Sequence, residues 1–186
     1  MKKRRSKNKS SFSDLCLECG LTKDSCCSLG VPLTIRDIRI IKNLGFKLED
    51  FAYAEEWGKE DFADGEEWWK GSMIKVNNRF YRVSCKEKKN GNCFFLREGS
   101  GCILGENRPL QCRMFPFWVE KNRIIYDGSA DGFCMLKNKR LPLKEKIKII
   151  GESEKSLKKY YRMIKEDCIN NREEHRKLVL RLLNQR

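Results

Sequence analysis

Four cysteines fall within the twelve residues CLECGLTKDSCC: Cys16 and Cys19 as C-x-x-C, and Cys26 and Cys27 as neighbours. So many thiols at one end of a chain need partners. Six more cysteines follow, at positions 85, 93, 102, 112, 134 and 168. What they do depends on the compartment. The start, MKKRRSKNKS, is basic, but no apolar run follows it, and no window of the sequence is apolar enough to span a bilayer. The expectation is a cytoplasmic protein without membrane contact. In a reducing compartment, dense cysteines are metal ligands or redox groups rather than structural disulfides.

The sole histidine, His175, lies in the C-terminal region, so a mixed Cys/His site has little to draw on. Any metal here is held mainly by sulfur, which selects zinc, an iron–sulfur cluster or monovalent copper. In C-x-x-C, two intervening residues let the backbone curl around one metal atom with its N–H groups aimed at the sulfurs. Cys26 and Cys27, as adjacent residues, tend to point apart. They suit two sites, or two atoms of one cluster, unless one ligates and the other packs as a small apolar residue. Cys16, Cys19, Cys26, Cys27, Cys93, Cys102, Cys112 and Cys134 form the candidate ligand set, enough for two four-sulfur sites or one cluster with spares. Cys85, on an expected strand, reads as a core thiol, and Cys168, on a basic helix, as a bystander. Zinc ribbons pair two C-x-x-C knuckles. Only one is present here and the later gaps are long, which tilts the reading toward iron–sulfur while leaving zinc open.

Charge and periodicity divide the chain. Residues 1–12 read as a disordered basic tail, with six basic and no acidic residues in the first ten. Residues 13–136 read as a cysteine-cluster metal-binding domain, and residues 137–186, at +9, as a basic helical extension. Thr34, with Asp37 three positions on, caps a helix carrying Ile35, Ile38, Ile41 and Leu44 and ended by Gly45. KLEDFAYAEEW reads as a second helix. FYRVSC (80–85) reads as a strand, KEKKNGN as a turn and CFFL (93–96) as its return. FWVE and RIIYDG flank Lys121-Asn122 as a hairpin. Leu143 to Ile164 and Asn170 to Leu183 read as two helices. The expected fold class is α+β, mainly helical, with one or two short β-hairpins and a cysteine-lined metal centre.

The segments CLEC and CC (16–27), CFFL (93–96), CIL (102–104) and RPLQCRMFPF (108–117) resemble those of the YkgJ-like cysteine-cluster family of zinc- or iron-chelating proteins. The helix LTIRDIRII resembles the segment following the CC pair there. The likeness spans about residues 14–135, with a longer gap between Cys19 and Cys26 and with Phe94 where proline is common. It implies metal chelation with no settled reaction. A related cysteine set in flagellin lysine N-methylases makes an iron–sulfur-dependent protein-modifying enzyme the alternative. Pro109 and Pro116 fix the backbone around Cys112, and Arg108 and Arg113 can offset thiolate charge. No Ser/His/Asp set or phosphate loop is present, so the sequence leaves catalysis open. A third reading is weak nucleic-acid contact through the basic tails, with Trp57, Trp68 and Trp69 as exposed aromatics.

Overall fold

The structure is a computed structural model, and it describes residues 19, 25–28, 30–58, 69–97, 100–126, 134–138 and 140–185. The basic tail, Cys16 and Trp68 lie outside the described residues. The fold is α+β. Helix α1 spans Ile35–Asn43, and Thr34 and Asp37 close the expected capping box. Ile35, Ile38 and Ile41 face inward, and Gly45, at φ +95°, ends the turn in the left-handed region. The following segment departs from expectation. Only Leu48–Phe51 is helical (α2), and Ala52–Trp57 is strand β1. Ala and Glu favour helix, but Ala52 and Ala54 bury on one face at period two and the backbone pairs with β3 from Phe80 to Cys85. Strands β2 (Ile74–Val76) and β3 (Arg79–Cys85) complete an antiparallel sheet of order β1-β3-β2. The CFFL segment is also less regular than expected. Cys93 forms a single bridge with Glu87, and only Leu96–Arg97 (β4) is strand, paired with Gly101–Cys102 (β5).

Helix α3 (Leu110–Met114) precedes the hairpin β6 (Phe117–Glu120) and β7 (Arg123–Tyr126). Lys121 and Asn122, at φ 44° and 64°, make the two-residue turn anticipated from sequence. The long helix expected from Leu143 is two: α4 (Leu143–Ile149) and α5 (Glu154–Asn170). Gly151, at φ +80°, ends α4, and Ser153 with Ser156 opens α5 by a fresh capping box. Helix α6 is Arg172–Leu183. Among the described residues no helix is long and apolar enough to cross a membrane.

Two apolar clusters hold these elements. One joins α1, the three-stranded sheet, Phe95 and Leu104 to Val179 and Leu182 of α6. The other joins α3 and the β6–β7 hairpin to α4 and α5 through residues such as Met114, Phe117, Ile147 and Leu157. The helices from 143 onward therefore contribute to both cores. Trp57 and Trp69, expected as exposed aromatics, instead clasp Arg82, whose guanidinium lies 5.6 and 3.8 Å from their ring centroids. Burial lowers the Arg82 pKa to about 10. Gly71 is required where its turn meets α5: a Cβ there would lie 2.4 Å from the Cys168 carbonyl oxygen.

Two buried carboxylates tie the N-terminus of α1 to distant segments. Asp37 accepts from the Thr34 N–H (3.0 Å), the Thr34 hydroxyl (2.7 Å) and the Leu110 N–H (3.1 Å). Asp167 of α5 accepts from the Ile35 N–H (3.1 Å), Asn171 Nδ2 (2.9 Å) and His175 Nε2 (2.8 Å). Burial pushes Asp37 up to about 6, against the hydrogen bonds from Thr34 and Leu110 that pull it down. A carboxyl with a raised folded-state pKa stabilises the fold most when protonated, and that contribution is lost as pH rises through about 6. From pH 4 to pH 7 the wild-type chain should therefore lose on the order of 3 kcal/mol relative to Asp37→Asn, read from urea unfolding at each pH. Parallel pH profiles for the two chains would refute this.

Candidate metal centre

The sheet determines where the thiols meet. β2 pairs with residues 79–81 of β3, and residues 31–33 take over the same edge further on. The Leu33 N–H donates to the Val83 carbonyl (2.9 Å) and the Cys85 N–H to the Val31 carbonyl (2.8 Å). This pairing brings the N-terminal turn Cys26–Ser28 to the end of β3 at Cys85. The Cys93 N–H then donates to the Cys27 carbonyl at 2.6 Å. Cys93 and Cys102 pack against the first cluster, while Cys112 sits on α3, whose Leu110 and Met114 belong to the second.

The sulfurs form two pairs with further thiols close by. Cys26 and Cys27 are hydrogen-bonded side chain to side chain. Cys85 Sγ lies 3.6 Å from Cys93 Sγ. Cys26 is within electrostatic reach of Cys112 and Cys19, Cys27 of Cys93, and Cys112 of Cys93, Cys102 and Cys27. Of the eight sequence candidates, the structure thus gathers Cys19, Cys26, Cys27, Cys93, Cys102 and Cys112 into one neighbourhood. It places Cys134 against the second cluster, and Cys16 lies outside the described residues. Cys168 is buried beside Ser72 and Arg82. Among the described residues no three or more Cys, His, Asp or Glu side chains are closed around a point that could hold an ion. The expected cysteine-lined metal centre is therefore not shown: these thiols are neighbours, without a coordination shell among the described residues.

Sequence reasoning placed Cys85 outside the set, and the structure places it beside Cys93. The signal was available: Cys85 and Cys93 flank the Asn90-Gly91 turn and so occupy opposite limbs of one hairpin.

The electrostatics explain which sulfurs ionise first. The Cys26 thiol donates to Cys27, which holds Cys26 well above its ordinary value and lowers Cys27. Cys85 and Cys93 share a hydrogen bond that either sulfur can donate, and the pairing raises Cys85 and lowers Cys93 to about 7, helped by the N–H groups of Phe95 and Leu96. Burial pushes Cys102 up to about 11, opposed by the Leu104 N–H and by Arg108. Burial also raises Cys112. Backbone amides directed at sulfur and a nearby guanidinium favour thiolate over thiol. The donor set fits a thiophilic cation: the cysteines are buried or half-buried, and their sulfurs are soft and mutually repulsive when ionised, a cost that a bound cation removes.

The model of the CxxCxxCC family, described as "Putative zinc- or iron-chelating domain", matches residues 15–177. The chain belongs to the CxxCxxCC family. That match runs beyond the span of the likeness read from sequence and takes in α4, α5 and part of α6. No curated protein and no solved structure matches the chain.

Within this CxxCxxCC chain the Arg108 guanidinium acts on three of the thiols, Cys27, Cys102 and Cys112. Arg108→Gln should weaken zinc binding by about 10–100-fold, read by competition with a chromophoric chelator, with circular dichroism of the loaded chain unchanged. Unaltered affinity would show that the guanidinium does not stabilise the thiolates.

Proposed function

We propose that this protein binds zinc or iron, the latter as an iron–sulfur cluster, through thiolates drawn from Cys16, Cys19, Cys26, Cys27, Cys93, Cys102, Cys112 and Cys134. The observation that carries the reading is the meeting of cysteines distant in the chain: the Cys93 N–H donates to the Cys27 carbonyl (2.6 Å), and Cys93 Sγ lies 3.6 Å from Cys85 Sγ. Thiolates drawn this close repel one another, and a bound cation removes that cost. The gathering of cysteines from the 26–28 turn, β5 and α3 supports a centre that joins separate parts of the chain, so that binding and folding are coupled. A reducing, cytoplasmic setting is the one in which these thiols stay available. A protein-modifying activity like that of flagellin lysine N-methylase, and nucleic-acid contact through the basic tails, have no observation among the described residues that favours them over chelation.

The test is anaerobic titration of the metal-stripped full chain with zinc against a chromophoric chelator. Cys93→Ser and Cys112→Ser should each weaken binding by at least about a hundredfold, more than loss of an outer contact would. Cys168→Ser should bind as wild type does. Equal affinity in all four proteins would overturn the reading.

A further inference from the structure

Cys85 is the one cysteine of the neighbourhood that the sequence motif does not contain. It ends β3 with its side chain buried, and its Sγ stands 3.6 Å from that of Cys93. That separation has a metric meaning. Two thiolates on one tetrahedral zinc, each about 2.3 Å from the metal, stand roughly 3.8 Å apart. The pair is already at the length of a coordination edge. Neither sulfur is in a disulfide, which needs about 2.0 Å.

The backbone holds the two sulfurs in this relation. Residues 85–93 turn back on themselves through Asn90 and Gly91, with Gly91 at φ +80° and the Gly91 N–H donating to the Lys88 carbonyl (2.9 Å). The Glu87–Cys93 bridge, the Lys88 N–H to Asn92 carbonyl bond (2.7 Å) and the Phe94 N–H to Lys86 carbonyl bond (2.9 Å) close the hairpin. Both limbs are thus fixed before any ion arrives, which lowers the ordering entropy of chelation. Cys85 belongs to the first apolar cluster, as expected of a core thiol, and at the same time it stands beside Cys93, with Cys112 and Cys102 within electrostatic reach.

We propose that Cys85 is a metal ligand and that Cys85 and Cys93 chelate the same ion from the two limbs of this hairpin. The assignment rests on the metal-binding reading above and adds a ligand to it. It also restricts the centre. The four-iron cluster distributes its cysteines one to each iron, whereas an edge-length pair shares one ion: a zinc, or one iron of a two-iron cluster.

Substituting a residue as buried as Cys85 could unfold the chain, so the decisive experiment keeps the wild-type sequence. The full chain is loaded anaerobically with an NMR-active cadmium isotope, and cysteine β-protons are correlated with the bound metal. The expected result is that Cys85 and Cys93 β-protons both correlate with one cadmium resonance. Correlation of Cys93 without Cys85, or of the two with different cadmium ions, would overturn this assignment and leave the metal-binding reading in place. A folded chain that takes up no cadmium would overturn both.

Discussion

Stripping metal from the folded chain should lower its melting temperature by roughly 10–20 °C, the shift that about 5 kcal/mol produces in a chain of this size. The reason lies in how little else holds the thiol-bearing segments. Among the described residues between Lys86 and Asn107, regular structure amounts to one isolated bridge, two strands of two residues each and a single 3-10 turn. Structural zinc contributes on the order of 10 kcal/mol in small thiolate sites, comparable to the whole stability of a domain. The aromatic contacts of Phe46, Phe94 and Phe95, with ring centroids 5.1–6.3 Å apart, lean on this segment and should loosen with it. Thermal unfolding followed by circular dichroism, with and without a strong chelator, reads the effect. Superimposable curves from a chain shown to have held metal would mean that the centre does not organise the fold.

Asp167→Ala should cost on the order of 3 kcal/mol or more, because one carboxylate serves three donors in a buried place. Burial alone would raise the Asp167 pKa. Hydrogen bonding and charge from His175, with bonds from Ile35 and Asn171, outweigh it and leave the carboxyl below its ordinary value. Since the carboxylate is ionised, His175 Nε2 carries the donated proton. Nδ1 is then a buried atom with no hydrogen-bond partner among the described residues, so losing Asp167 leaves the imidazole without one there. The first amide of α1 loses its acceptor as well. A depressed carboxylate contributes stability above its unfolded pKa that is lost as pH falls. The difference between wild type and Asp167→Ala should therefore be full near neutrality and shrink below about pH 4. Asp167→Asn, which can still accept from Ile35, should fall between the two. Equal chemical-denaturation midpoints for all three chains would contradict this role.

Local chemistry was legible in the sequence, and long-range pairing was not. The capping box of α1 and the β6–β7 hairpin are written in adjacent residues, Thr34 with Asp37 and Lys121 with Asn122. Strand β1 was hidden because Ala and Glu favour helix, and its partner β3 starts more than twenty residues after it ends. The break between α4 and α5 could have been seen in Gly151 and Ser153, but the apolar spacing on either side suggested continuity. The cysteines were conspicuous, and six of the eight candidates are neighbours in the fold. Cys85, on an expected strand, reads as a core thiol and is one, and its place opposite Cys93 becomes informative only once the hairpin forms. His175 looked isolated along the chain because its partner, Asp167, lies two helical turns back across the α5–α6 junction.

The most direct test of the account is the metal content of the full chain purified without oxygen, by elemental analysis beside a visible absorption spectrum. At least one zinc or iron per chain is predicted, with visible bands if iron–sulfur and none if zinc. A cooperatively folded chain carrying neither metal would contradict it.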